Sequence, residues 1–172
     1  RGIDQILARH ERDVVDDDLP AISIDDKSVV EGNAGTTDAT FTVTLSAATS
    51  RTVTVNYATG NGSAVAPGDY LATSGTFTLA PGTTSGTIAV SVVGDTIVEG
   101  NETFTVTLSA PANAALGTAV ATGIITNDDV APSTLTIADV TVTEGNAGTV
   151  NAAFNVTLTP ASAAPVSVTF AT

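Results

Sequence analysis

The sequence contains no cysteine, methionine or tryptophan, and only 4% of its residues are aromatic. Without cysteine, the chain can form neither disulfides nor thiolate metal sites, and it has no cysteine nucleophile. Hydrophobic residues nevertheless make up 42% of the chain, so a core must be built mainly from Val, Ile, Leu, Ala and Phe.

Basic residues are also scarce, because 18 Asp and Glu face five Lys and Arg for a net charge of −13. Nucleic acids and anionic membranes repel such a chain, so we expect neither as a partner, and cations become the natural ligands. No apolar run approaches the roughly 18–20 residues that cross a bilayer, and no signal peptide opens the chain. We therefore expect no membrane insertion, and a mature form or a piece of a longer protein.

Residues 1–13 differ from the rest, since they hold three of the five basic residues and the single histidine, His10. We interpret residues 1–20 as a linker or tail. Within it, residues 14–20 are a candidate last strand of a preceding repeat, because Asp16-Asp17-Asp18 resembles residues 127–129. No enzyme is expected: His10 lies in this tail, and neither a Gly-x-Ser-x-Gly elbow nor a phosphate-binding loop is present.

From residue 21 onward, Thr, Val and Ile alternate in short runs, and Gly, Pro, Asn and Asp interrupt them about every 8–12 residues. One face of each run is apolar and the other carries Thr or Ser. This pattern predicts an all-β fold in which two antiparallel sheets pack face to face. The seven predicted strands are residues 21–30, 39–45, 52–57, 73–79, 85–93, 103–109 and 119–126.

The chain repeats itself at an offset of 113 residues. Residues 29–59 and 142–172 align without a gap and are identical at 17 of 31 positions, which indicates tandem copies of one module. The predicted organisation is a complete domain at 21–129, a linker at 130–134, and the first strands of a further repeat at 135–172. That further repeat is incomplete, either because the sequence is an excerpt or because another chain completes it, and we favour the excerpt.

Strand parity assigns the acidic residues to one end of the predicted sandwich. If successive strands alternate in direction, the connections after the first, third and fifth strands share an end with the residues after the seventh. The connections at the other end, 46–51, 80–84 and 110–118, contain no acid. The acidic connections carry Glu31, Asp38, Asp69, Asp95, Glu99, Glu102, Asp128 and Asp129.

Like charges gathered at one end repel one another, and divalent cations would neutralise them. Oxygen-only ligands favour calcium or magnesium over zinc or copper. The alternative is a merely acidic or halophilic surface, which would place acids at both ends. The segregation therefore favours a cation site.

Four separated motifs carry a family resemblance: Val30-Glu31-Gly32, Gly68-Asp69-Tyr70, the run from Gly94 to Phe104, and Asn127-Asp128-Asp129. The chain resembles a Calx-beta domain, fully over about 21–129 and partly over 134–172. This module occurs in sodium/calcium exchangers and in tandem in bacterial surface proteins. The resemblance implies a seven-stranded immunoglobulin-like sandwich with calcium ions at the loops beside the end of the last strand.

The resemblance also implies a set of ligands. Two positions depart from the exchanger pattern, because Gly94 and Asn127 stand where acids are expected, so we expect fewer ions or weaker binding. In the partial repeat only Glu144 of the set remains. The implied calcium ligands are Glu31, Asp69, Asp95, Glu99, Glu102, Asp128 and Asp129, with a backbone carbonyl from Ile97.

Three functions remain open at this point. The leading one is a calcium-binding structural repeat of a secreted bacterial surface protein, in which calcium stiffens the junctions with neighbouring repeats. The second is an adhesion or filament subunit, whose partners are copies of itself or a surface ligand. The third is a calcium-sensing regulatory domain.

Overall fold

The computed structural model of the chain describes residues 19–172, which form strands and no helix, so the predicted all-β class is confirmed. Residues 1–18, including the predicted tail and the candidate preceding strand, lie outside the described residues. Within the described part there is no helix that could span a membrane. The strands are β1 Ala21–Ile24, β2 Lys27–Val30, β3 Gly35–Leu45, β4 Val53–Asn61, β5 Ser74–Leu79, β6 Ser85–Gly94, β7 Glu102–Ala112, β8 Ala115–Leu116, β9 Val120–Thr126, β10 Thr134–Ile137 and β11 Val156–Thr159.

Two sheets form a sandwich. One has the strand order β6-β3-β1-β8 and the other β2-β9-β7-β4-β5. Alternate residues of the long strands face inward, as the period-two pattern predicts, and apolar burial between the sheets stabilises their packing. The core therefore consists of inward rows such as Phe41, Val43 and Leu45 on β3, and Phe104, Val106 and Leu108 on β7.

The predicted first strand, 21–30, is wrong as a single element, because it divides between the two sheets. β1 pairs with β3 in the first sheet, and β2 pairs with β9 in the second. Asp25 and Asp26 separate the two strands, since charged side chains do not continue a buried row. Asp26 Oδ1 accepts a hydrogen bond from Thr122 N of β9 at 2.7 Å, which fixes the crossing point.

Two strand pairs depart from the predicted antiparallel arrangement. β2 runs parallel to β9, and β1 runs parallel to β8, a two-residue strand within the predicted connection 110–118. Both parallel pairs follow from the crossing of the chain between sheets, since β1 and β2 keep one direction while they join different neighbours. All other pairs in the sandwich are antiparallel.

Three buried aromatic rings pack together between the two sheets. Phe41 of β3 and Phe104 of β7 meet edge to face, with ring centroids 5.9 Å apart. Tyr70, from the β4–β5 connection, stacks on Phe104 with centroids 4.5 Å apart. Such pairs contribute about 0.5–1.5 kcal/mol beyond the area that they bury. The stack on Phe104 fixes Tyr70, a loop residue, within the core.

The pairing of β1 with β3 recurs 113 residues later. Ile22 lies opposite Leu45 in the first pair, and Leu135 lies opposite Leu158 in the pair of β10 with β11. The hydrogen bond from Asp25 N to Thr42 O likewise has a counterpart from Ala138 N to Asn155 O. The sequence repeat thus extends to strand register.

The repeat supplies a matched test of core packing. Phe41 is 0% exposed, whereas Phe154, its equivalent 113 residues later, is 55% exposed. We expect Phe41→Ala to lower the free energy of unfolding by about 3–5 kcal/mol, through lost burial and a cavity. Phe154→Ala should change it by less than about 0.5 kcal/mol. Urea denaturation of both variants measures this, and equal losses would contradict the assignment of the core.

Candidate metal centre

Seven carboxylates interact electrostatically at one end of the sandwich, which we call the acidic end. It comprises the β2–β3, β4–β5 and β6–β7 connections and the residues that follow β9. Neither of the described cations, Lys27 and Arg51, is among the groups that alter the pKa values there. The seven are Glu31, Asp69, Asp95, Glu99, Glu102, Asp128 and Asp129, all of which the sequence predicts as site residues.

Parallel pairing of β2 with β9 brings Glu31 to Asp128 and Asp129. The register ends with Val30 opposite Thr126, and it continues through a hydrogen bond from Glu31 N to Thr126 O at 3.3 Å. Gly32 N then donates to Asp128 Oδ1 at 3.1 Å. Two strands that run in the same direction leave the sheet at the same end, so their following residues meet.

A second group of acids forms around the start of β7. One carboxylate oxygen from each of Asp69, Glu99 and Glu102 lies within 4.8 Å of the others. Asp69 Oδ2 also accepts a hydrogen bond from Val65 N at 2.6 Å, which fixes its side chain. Three oxygens at this spacing can share one hard cation.

Several of these acids continue the inward rows of their strands. Glu31 lies two residues after the half-buried Val29, and Glu102 lies two residues before the buried Phe104. Their side chains therefore lie where the apolar core ends. Glu31 is only 5% exposed and is the one buried charged residue in the described part of the chain.

Burial and mutual repulsion raise the pKa of three carboxyls. Burial raises the pKa of Glu31 above its ordinary value of 4.5, and the neighbouring acids, Asp95 first, raise it further. The pKa of Glu102 is raised by burial and then by the charge of Asp69 and a hydrogen bond with it. Partial burial, followed by Asp128 and Asp95, raises the pKa of Asp129 above 3.8. Each shift reflects a carboxylate without a compensating positive charge.

The donor set fits a hard divalent cation. Asp129 Oδ2 is buried and has no hydrogen-bond partner in the described part of the chain. A buried carboxylate oxygen without a donor is costly, and a cation would satisfy it. All the ligands on offer are oxygens, which suit calcium or magnesium. Glu31, Asp95, Asp128 and Asp129 could hold one cation and Asp69, Glu99 and Glu102 another.

Asp95 and Ile97 shape the first half of the β6–β7 connection. Asp95 Oδ1 accepts a hydrogen bond from Ile97 N at 2.6 Å, and the Ile97 side chain is 60% exposed. Asp95 raises the pKa values of Glu31 and Asp129, which places it with that group of acids. The backbone carbonyl of Ile97 as a cation ligand stays a prediction.

Asn127, which the sequence presents only as a missing acid, ties two parts of the acidic end together. Its Nδ2 donates to Glu99 O at 2.7 Å, and its Oδ1 accepts from Asp129 N at 2.8 Å. Its backbone N donates to Asn101 Oδ1 at 3.2 Å. The amide therefore holds the β6–β7 connection against the end of β9. The Asn-Asp-Asp sequence gives no signal for these distant partners.

Gly94, the other position without the expected acid, has no room for a side chain. A Cβ there would lie 2.1 Å from Gly32 O and 2.8 Å from Glu31 O. Gly94 pairs with Gly35 where β6 and β3 meet. An acid at this position would require the backbone of the β2–β3 connection to move.

Two other acids lie away from the acidic end. Asp38 lies within β3 rather than in a connection, and its Oδ1 accepts from Ser91 Oγ of β6 at 2.9 Å. The parity argument that placed Asp38 with the other acids is therefore wrong, because β3 begins at Gly35. Glu144, the one member of the set in the partial repeat, is exposed.

Comparisons with known proteins bear on this arrangement. A family model of the Calx-beta domain matches residues 16–130. No curated protein matches the chain.

Several solved structures are similar in fold. The crystal structure of CBD12 from CALX1.2 has a TM-score of 0.57 at 24% identity and covers 63% of this chain and 46% of that one. The apo-form Calx CBD1 domain has a TM-score of 0.55 at 24% identity, over 65% of this chain and 100% of that one. The calcium binding domain CBD12 of CALX1.1 has a TM-score of 0.58 at 23% identity, over 69% and 50%. The chain spans about half the length of the two CBD12 structures.

The raised pKa of Glu31 predicts how stability changes with pH when metal is absent. A carboxyl whose pKa is higher in the folded state stabilises the fold fully below its unfolded value, near 4.5. This contribution is lost as the pH rises through the folded pKa. In EDTA, Glu31→Gln should therefore be more stable than the parent protein at neutral pH, and the difference should vanish towards about pH 4.5.

Urea denaturation between about pH 7.5 and about pH 4.5 measures this difference. Asp25→Asn is the matched control, since it removes one negative charge from an exposed residue between β1 and β2. A constant gap between Glu31→Gln and the parent at all pH values would contradict the prediction.

Proposed function

Because the chain belongs to the Calx-beta domain family, we propose that its acidic end binds calcium. We further propose that residues 21–129 are a calcium-binding structural repeat of a longer extracellular or cell-surface protein. Bound calcium stiffens the junction with the next repeat. The main support is the gathering of seven carboxylates at the acidic end, where Asp129 Oδ2 is buried and has no hydrogen-bond partner in the described part of the chain.

Calcium supplies positive charge and coordinates about six to eight oxygen ligands in flexible geometry. Glu31 and Asp128 approach from β2 and β9, and Asp69 and Glu102 from the β4–β5 connection and β7. Neutralising these groups removes the mutual repulsion that helps to raise the pKa values of Glu31 and Glu102. The four segments that meet at the acidic end are then drawn to bound cations instead of repelling one another.

The stiffening proposal rests on where the chain leaves the domain. Asp128 and Asp129 follow β9 after a single residue, Asn127, and residues 130–133 then lead to β10. Val130 is 83% exposed, so the chain leaves the packed structure immediately after the acids. Ligands at 128 and 129 would fix the direction of this exit. The shared register of β1–β3 and β10–β11 supports a second module of the same kind beyond it.

The first test is thermal unfolding of the chain in EDTA, in calcium and in magnesium. Calcium at about 100 times its dissociation constant should add about 2.7 kcal/mol per independent site, because it binds only the folded state. For a domain of this size, at roughly 3–6 °C per kcal/mol, the gain corresponds to a rise of roughly 8–16 °C per site. An equal rise in magnesium would mean nonspecific charge neutralisation and would contradict the proposal.

Two variants locate the effect. Glu102→Gln should raise the unfolding temperature in EDTA, since it removes repulsion, and should reduce the calcium shift, since it removes a ligand. Asp38→Asn removes the same charge from β3, where the side chain bonds Ser91, and should leave the calcium shift intact. If the two variants lose the shift equally, the ions do not bind at the acidic end.

A calcium-sensing role is the second candidate. Its support is the structural similarity to the calcium binding domain CBD12 of CALX1.1. Affinity separates the two roles, because sensors work at roughly 10⁻⁷–10⁻⁵ M and extracellular modules at roughly 10⁻⁴–10⁻³ M. Isothermal titration measures this dissociation constant, and a value in the lower range would favour sensing over the structural role.

A further inference from the structure

We propose that Tyr70, through its hydrogen bond to Asn61, is the residue that positions Asp69 for the cation. This inference rests on the proposed calcium function, but its evidence is separate from the carboxylate cluster. It assigns a binding role to two side chains that carry no charge and bind no ion themselves.

Tyr70 is held more tightly than a loop residue needs to be. It is 1% exposed, and its ring stacks on Phe104 at a centroid distance of 4.5 Å and an angle of 15°. Its hydroxyl donates to Asn61 Oδ1 at 2.6 Å. Ring and hydroxyl are therefore fixed separately, the first by the core and the second by the end of β4.

The backbone on either side of Tyr70 is fixed as well. Val93 N donates to Asp69 O at 2.9 Å, and Leu71 N donates to Ser91 O at 2.8 Å. These bonds attach residues 69–71 to β6 as a short antiparallel bridge around Tyr70 and Val92. A shift of Tyr70 would therefore move the backbone that carries the Asp69 carboxylate.

Asn61 connects the two ends of the same loop. Its Oδ1 accepts from Tyr70 and also from Ala66 N at 3.2 Å. Between these contacts, Asp69 Oδ2 accepts from Val65 N at 2.6 Å, and Asp69 N donates to Val65 O at 3.2 Å. One amide oxygen thus closes the loop whose backbone holds the Asp69 carboxylate in place.

The stack also couples Asp69 to the second acidic ligand of its group. Phe104 lies two residues after Glu102 on β7, and Tyr70 lies one residue after Asp69. The carboxylates of Asp69 and Glu102 lie within 4.8 Å of each other and of Glu99. The residues that carry them are thus close in sequence to two rings that stack on each other. Groups that orient ligands in this way change metal affinity by about 10–100-fold.

A purely structural role for Tyr70 predicts something different. Filling the core requires the ring, and Phe would supply it equally well. Positioning Asp69 requires the hydroxyl, because only the hydroxyl reaches Asn61. Tyr70→Phe removes that group alone and keeps the stack on Phe104.

The experiment compares Tyr70→Phe with Tyr57→Phe, the same change at the only other tyrosine in the chain. Tyr57 lies on β4, and its hydroxyl lies beside Gly75 of β5. Isothermal titration should give a calcium affinity about tenfold weaker for Tyr70→Phe. Tyr57→Phe should keep the affinity of the parent protein.

A second readout needs no calcium. In EDTA, the Val65 amide that donates to Asp69 should exchange with deuterium faster in Tyr70→Phe, while the amide of Val90 in the core should keep its protection. Asn61→Ala removes the hydrogen bond from the other side and should weaken calcium binding as much. The double variant should then lose no more than either single one.

The outcomes separate this inference from the proposed function. If the parent protein takes up no calcium, the proposed function fails, and the inference falls with it. If the parent binds calcium and both Phe variants bind equally well, the positioning role of Tyr70 is overturned and the calcium function stands. Thermal unfolding in EDTA verifies that each variant is folded. If Tyr70→Phe does not fold, Asn61→Ala provides the test of the same hydrogen bond.

Discussion

Strand pairing holds the carboxylates of the acidic end together against their mutual repulsion. Two unit charges about 4 Å apart repel by about 1 kcal/mol even in bulk water, and by more where water is excluded. Glu31 and Glu102 continue the inward rows of their strands, so the buried core brings them to this position whether or not a cation is bound. The apolar core and the backbone ladders must therefore offset a local electrostatic cost, which makes the acidic end responsive to a positive ligand.

The parallel pairing of β2 with β9 has the largest consequence for the site. It follows from the crossing at Asp25 and Asp26, where the chain leaves the β1–β3 sheet and joins the edge of the other. If residues 21–30 had continued beside β3, Glu31 would end one sheet and Asp128 the other. The crossing instead places the two on neighbouring strands, joined by the bond from Gly32 N to Asp128 Oδ1. A fold feature without charge of its own thus determines which acids can share an ion.

Much of this arrangement can be predicted from the sequence, because inward rows and acidic connections both repeat with simple periods. The two sheets, their core residues and the grouping of acids at one end all follow from period-two alternation and strand parity. The division of residues 21–30 also leaves a trace, since the apolar positions change phase between Ile24 and Val29 across the two aspartates. This change of phase marks the point at which residues 21–30 divide into β1 and β2.

Other features of the site depend on contacts that no local pattern encodes. Tyr70 and Asn61 meet across nine positions, and Asn127 reaches Glu99 across 28. Gly94 is required by the distance to the Gly32 carbonyl, which becomes visible only when β6 and β3 are paired. In the sequence these residues look like turn formers or missing acids. Their roles arise from the tertiary structure and not from the residue type.

Hydrogen bonds of Asn127 hold one part of the acidic end together, whereas other parts of it would depend on bound cations. Two hydrogen bonds tie the β6–β7 connection to the end of β9 at this residue, so that contact needs no cation. The carboxylates of Asp69, Glu99 and Glu102 lie close to one another, and Asp129 Oδ2 has no donor within the described residues. A cation therefore has most to contribute where carboxylates crowd one another, beside Asp69, and where an oxygen lacks a donor, at the chain exit after β9. Ordering by calcium should accordingly be concentrated at those two places, while the contact of Asn127 with the β6–β7 connection persists without it.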